Sequence, residues 1–178
     1  SSVWNGKKVE FRKPSEADYT LTKYQDSITP NVILTRQNNR GLFNIAFENS
    51  YNSTSKGPAL TEWAVGNTSN FGQLVFQPWR DVVRSFGYTT ESVDNDLVLH
   101  LIRENIYIDI KITQWQAKGS GGFKYIRSTP NNLDTDIDND GVDDSVDDCI
   151  CPSDTASSST SSLCLDEESM SNVFGCSV

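Results

Sequence analysis

Between Asp134 and Asp148 the chain places eight aspartates in fifteen positions, with no Lys or Arg among them. Like charges at that density repel one another unless a cation fills the space between them. Asp136, Asp138, Asp140, Gly141, Asp144 and Asp147 stand at positions 1, 3, 5, 6, 9 and 12 of a calcium loop. Val142, at position 7, offers its backbone carbonyl. Calcium takes roughly six to eight oxygen ligands, and alternating carboxylates around a tight glycine turn supply them. Asp134 is a further candidate ligand just upstream, and with Asp143 and Asp148 it leaves room for a second ion. The expected cofactor is Ca²⁺. Runs of like charge are usually solvated linkers, but a fixed spacing around a correctly placed glycine favours the ion.

Position 12 carries Asp147 where a sensor loop carries the longer Glu, and no long amphipathic helices flank the run. Both features point to a structural site and not a switch. The pattern D-x-D-x-D-G-x-x-D-x-x-D-x-C, from Asp136 to Cys149, resembles a thrombospondin type 3 repeat. That resemblance implies a calcium-wrapped structural segment in a secreted, extracellular or cell-surface protein. A single copy is present, so no extended stalk is implied.

All four cysteines, Cys149, Cys151, Cys164 and Cys176, lie in the same C-terminal part. A Cys149–Cys151 bridge would strain so short a loop. Two pairings remain open, 149–164 with 151–176, or 149–176 with 151–164. C-x-C without a flanking His lacks the usual zinc spacing. Disulfides and an oxidising, calcium-rich compartment are expected instead.

Charge divides the chain at the same place. Residues 1–130 hold all 15 Lys and Arg with 12 of the 24 acids, a net +3, and residues 131–178 hold the other 12 acids and no base. Such asymmetry marks two modules, 1–130 and 131–178. The acidic tail and the lack of a basic run argue against nucleic acid as a partner. The chain opens Ser-Ser-Val-Trp with neither Met nor an apolar signal region, and no run is long enough to span a bilayer. It is expected to be a mature, soluble protein with no membrane insertion.

The elements that must position any site lie in residues 1–130, and they are β-rich. Period-two alternation marks strands around Phe43, Ile45 and Phe47; Trp63 and Val65; Leu74 and Phe76; and Phe123 and Tyr125. Further strands are expected at 8–12 and 31–36, with turns at 38–41 and 52–57. Trp79, Val82, Val83 and Phe86 repeat at helical spacing behind Pro78 and before Gly87, which predicts one short helix with Trp79 in the core. A hairpin is predicted over 96–115. Leu97, Leu99 and Leu101 line one face, and Ile106, Ile108, Ile110 and Ile112 line the same face of its partner. Closing it with Glu104-Asn105 as a two-residue turn sets His100 opposite Asp109 and Val98 opposite Lys111. The fold class expected is all-β, a jelly-roll-like β-sandwich with one short helix, followed by the calcium loop and a disulfide-bonded tail.

That hairpin register puts Tyr107, Asp109, Lys111, Thr113 and Trp115 in one outward row. Trp and Tyr present planes that stack on sugar rings, while Asp, Lys and His bond hydroxyls. His100, Tyr107, Asp109, Lys111 and Trp115 are therefore the candidate ligand-binding residues. The ordinary alternative is that the 78–86 helix covers this face. His100 is the only histidine, which excludes a multi-imidazole metal site. A His100–Asp109 pair would suit a general base, yet it equally suits a plain cross-strand contact, so no catalytic residue is assigned.

Two segments, Ile106–Ile110 and Phe123–Pro130, give the body a resemblance to uncharacterised secreted bacterial domains that often sit beside type 3 repeats. The expected function is that of a secreted, calcium-stabilised, non-catalytic module binding extracellular polysaccharide. One alternative is a structural or adhesive protein whose copies assemble through calcium as a homo-oligomer. The other is a polysaccharide lyase or hydrolase.

Overall fold

A computed structural model describes residues 1–131, which form one compact unit. Its strands are β1 (Ser2–Trp4), β2 (Val9–Lys13), β3 (Asp26–Thr29), β4 (Val32–Arg36), β5 (Leu42–Asn44), β6 (Thr61–Val65), β7 (Leu97–Leu101), β8 (Ile106–Trp115) and β9 (Phe123–Arg127). A single α-helix, α1 (Trp79–Arg84), and short 3-10 turns complete the described residues. The unit is all-β, as its alternating sequence predicts. The expected calcium loop and the four cysteines lie outside the described residues. Among those described, no helix is long and apolar enough to cross a membrane.

One sheet has the order β2-β9-β8-β7-β6, with β1 pairing in parallel alongside the start of β8. β6 to β9 are neighbours in chain order, an antiparallel meander. The second sheet is β3-β4-β5. The two sheets share one core: Ile28, Val32, Leu34 and Leu42 from the small sheet meet Trp63, Leu99, Ile108, Ile110, Ile112 and Tyr125 from the large one. α1 contributes Trp79, Val82 and Val83 to that core, so the predicted apolar stripe and the core role of Trp79 both hold. The helix ends at Arg84, two residues short of Phe86, and Pro78 is its N-cap. Each large buried side chain adds about 1.5–3 kcal/mol by leaving water, so this shared cluster is the chief source of stability.

Three expected local features differ. β5 stops at Asn44, whose side-chain amide donates to the carbonyls of Asn31 and Ala59 and accepts from the amides of Ile33 and Ala46. Those bonds turn the chain away and leave Phe47 exposed. Leu74 and Phe76 lie in no strand; only the bridge Trp63–Gln77 ties that segment to β6.

The third difference is the register of β7 and β8. Leu101 faces Ile106, His100 faces Tyr107, Leu99 faces Ile108 and Val98 faces Asp109. The predicted pairing is therefore displaced by two residues, and the loop is Ile102–Asn105 instead of Glu104-Asn105. A two-residue slip keeps every side chain on its face, so facing alone cannot distinguish the registers. Glu104 settles the matter: its Oε1 accepts from Thr29 Oγ1 and Asn31 Nδ2, both at 2.9 Å, and Asn105 closes the loop at φ +54.

Candidate cationic cleft

The five predicted ligand residues do not form one row. The ladder between β8 and β9 shifts by a residue between Ile112 and Gln114, so that Trp115 pairs with Phe123 where Ile112 pairs with Tyr125. A bulge of this kind inverts all that follows it. Trp115 consequently turns to the core side, away from Tyr107, Asp109 and Lys111. Its ring centroid lies 5.2 Å from that of Trp79 and 6.1 Å from that of Phe123.

The remaining four split again. His100 stacks on Tyr107, 4.2 Å between centroids and 4° between planes, and Phe71 covers Tyr107 at 4.2 Å. The segment carrying Phe71 and Phe76, and not α1, covers this part of the face. The expected His100–Asp109 pair is absent. His100 Nε2 is 3.2 Å from Asn105 Oδ1, and Nδ1 is 3.7 Å from Glu62 Oε2, a neighbour on β6 that the two-strand reading did not include. Asp109 is engaged elsewhere: Thr68 donates to its carboxylate through both amide (2.7 Å) and hydroxyl (3.0 Å). Lys111 pairs with Asp96 at 2.9 Å, and that hydrogen bond and charge raise its pKa. The Asp109–Lys111 side of the sheet bears a groove of about 300 Å³ in which Asp109, Asp96 and Lys111 are already partnered and Lys8 adds one further cation.

The other end of the unit is different. A cleft of about 360 Å³ opens where four segments meet: the β4–β5 turn, residues 51–53, α1, and the loop after β8. Arg36, Arg40, Arg80, Arg84 and Lys118 line it, and among the described residues no carboxylate does. Among the described residues none of these cations is ion-paired, whereas Lys56, beside Arg80, pairs with Asp81 and Lys124 with Glu10. Tyr51, Trp79 and Trp115 supply its aromatic walls.

Arg36 is the floor of this arrangement. It occupies the core face of β4, in line with Val32 and Leu34, and is 3% exposed. Its Nε donates to the carbonyl of Arg40 at 2.7 Å and Nη1 to that of Gly122 at 2.8 Å. The guanidinium lies 3.7 Å over the Trp115 ring. Burial pushes its pKa down to about 10. Lys13 nearby is 1% exposed, and its Nζ donates to the carbonyl of Gly121 at 3.2 Å. Burial, then the charge of Arg36, lower its pKa, while Asp18 opposes them.

Two glycines allow the walls to close. A Cβ on Gly41 would lie 2.7 Å from both the Trp79 and Tyr51 rings. Gly121, at φ +69, would place a Cβ 2.9 Å from the Asn38 Cα of the opposing turn, a backbone contact that only glycine tolerates. Of the predicted residues only Trp115 belongs to this cleft, and there it holds a guanidinium on its face instead of offering that face to a sugar. The missed residue, Arg36, had a legible signal: an arginine at the third inward position of the alternation Val32-Leu34-Arg36.

The described residues thus make an all-β unit with an uncompensated cationic cleft at one end. Comparison with protein-family models, with curated proteins and with solved structures finds no match to this chain. Among the described residues no group of three or more His, Cys, Asp or Glu side chains is arranged to hold a metal ion.

Proposed function

We propose that this protein is a secreted, calcium-stabilised, non-catalytic module that binds extracellular polysaccharide in the Arg36–Trp115 cleft. The observation that carries the reading is the composition of the cleft: about 360 Å³, aromatic walls, and hydrogen-bond donors from arginine, asparagine and hydroxyl side chains. Sugar sites combine apolar planes with a few placed polar groups, and the cleft has both. The Asp134–Asp148 run and Cys149, Cys151, Cys164 and Cys176 support calcium and an oxidising compartment on sequence grounds. Two sheets around one core support the sandwich reading. The meander of β6 to β9 does not follow the interleaved strand order of a jelly roll.

The catalytic alternative has lost its His100–Asp109 pair. Self-assembly has a specific observation in its favour, since four rim cations, unpaired among the described residues, face outward on a chain that also carries eight clustered aspartates.

Retention of the full chain on immobilised polysaccharides, in calcium and then in chelator, tests the reading. At least one polysaccharide is expected to retard the protein, with less retardation after Tyr51→Ala and in chelator. Unretarded migration on every polysaccharide would sink it.

A further inference from the structure

We infer that the cleft takes an anionic polysaccharide, one carrying carboxylate or sulfate groups along its length, with the Arg36 guanidinium as the innermost anion contact. This rests on the binding-module reading above and specifies its ligand.

The inference starts from what Arg36 lacks. Charges are buried in proteins when they are paired, because an unpaired ion loses its hydration without return. Arg36 is 3% exposed, lines the cleft, and has only backbone carbonyls and an aromatic face as partners among the described residues. The buried Lys13 has the same sign, and the charge of Arg36 disfavours its protonated form. An anion in the cleft would relieve this repulsion and complete the guanidinium fork. A carboxylate or sulfate oxygen pair suits that fork through two parallel hydrogen bonds.

The rim makes the same point independently. Arg40, Arg80, Arg84 and Lys118 add four cations without a single lining carboxylate. One small anion would leave most of these unanswered. A polymer with one charge per sugar or two meets several at once, and Tyr51 gives the intervening ring an apolar wall.

Binding to the full chain in millimolar calcium tests this by calorimetry with four probes. They are an oligogalacturonate, a sulfated galactan oligosaccharide, a neutral β-glucan oligosaccharide of equal length, and a peptide spanning residues 134–148. At least one acidic oligosaccharide is expected to bind, the neutral one not, and added salt to weaken the complex. Arg80→Ala with Arg84→Ala, both on the rim, should weaken binding at least roughly tenfold. Arg36→Met should abolish it, with circular dichroism unchanged. Which acidic probe binds identifies the anion. Equal binding of the neutral oligosaccharide would overturn the inference while leaving the polysaccharide module standing. Acidic binding indifferent to all three arginines would overturn the assignment of the cleft. Tighter binding of the aspartate peptide than of any oligosaccharide would hand the cleft to a second copy of this chain. Failure of every oligosaccharide would remove both the inference and the function it rests on.

Discussion

Two arginines are buried in this unit, at Arg36 and Arg127, and they are treated in opposite ways. Arg127, 8% exposed at the end of β9, donates Nε to Asp26 Oδ2 at 2.7 Å and Nη2 to Oδ1 at 2.8 Å. The Tyr125 hydroxyl donates to the same carboxylate at 2.6 Å. Burial opposes the Arg127 charge, but the hydrogen bonds and charge of Asp26 outweigh it and raise the pKa. Arg36, more deeply buried, has no such carboxylate among the described residues, and burial lowers its pKa to about 10. The fold can therefore neutralise a buried arginine when the residue is there for structure. Among the described residues Arg36 and its cationic neighbours are left unanswered beside an open cleft, and the proposed anion site rests on that contrast.

The contrast breaks most visibly at Asp26. Asp26→Ala leaves Arg127 and the Tyr125 hydroxyl buried without their acceptor, a change that costs about 3–5 kcal/mol of unfolding free energy. Urea titration of the full chain reads this directly. Combining Asp26→Ala with Arg127→Met should restore most of the loss, since an apolar pair packs where an orphaned charge cannot. A loss below about 1 kcal/mol for the single variant would mean that water reaches Arg127 and that the two arginines are not different in kind.

Arg36 is expected to behave in the reverse manner. Arg36→Met should change the unfolding free energy by no more than about 1 kcal/mol, because the charge it removes has no counter-ion to lose. The carbonyl of Gly122 keeps the amide of Gln116 at 3.0 Å, and Arg40 is exposed enough for water to replace the bond to its carbonyl. A thioether also packs well on the Trp115 ring. The same urea titration decides it. A loss as large as that of Asp26→Ala would make Arg36 a structural residue and remove the basis for reading the cleft as a site.

How much of this was visible in the sequence follows from the range of each signal. Alternation of apolar residues identifies which faces of β7 and β8 meet the core, because side-chain direction has period two. It is blind to the two-residue slip, which rests on bonds from Thr29 and Asn31 to Glu104 across some seventy residues. It is blind also to the shift between Ile112 and Gln114 that carries Trp115 from one face to the other. The cleft draws its cations from segments far apart in the chain, Arg36, Arg84 and Lys118 among them, and no local pattern announces their meeting. Only the inward placement of Arg36 beside Val32 and Leu34 betrayed it. The aspartate run is legible for the opposite reason, since all its proposed ligands fall within one short segment.

The smallest effect separates the two ends by pH. Burial, followed by the charge of Asp26, raises the Tyr125 hydroxyl well above its ordinary value of 10.0. Above that value the unfolded chain releases this proton while the folded chain keeps it, so stability falls as pH rises. Arg36 works the other way. Its folded pKa of about 10 lies well below the ordinary arginine value, so above about pH 10 the unfolded chain holds the extra proton and stability rises with pH. Lys13, lowered from 10.5, adds to the same trend just below that value. The raised pKa of Arg127 acts only above the ordinary arginine range, and that of Lys111 is common to wild type and variant, so neither enters the difference between them. In the wild-type protein the two ends therefore partly cancel. Removing Arg36 as Arg36→Met should steepen the alkaline loss between about pH 10 and 11.5, by no more than about 1.4 kcal/mol per pH unit. Urea midpoints measured across that interval for both proteins give the difference in slope. Parallel curves would show that Arg36 is solvated in the folded state, and its claim to await an anion would fall with its desolvation.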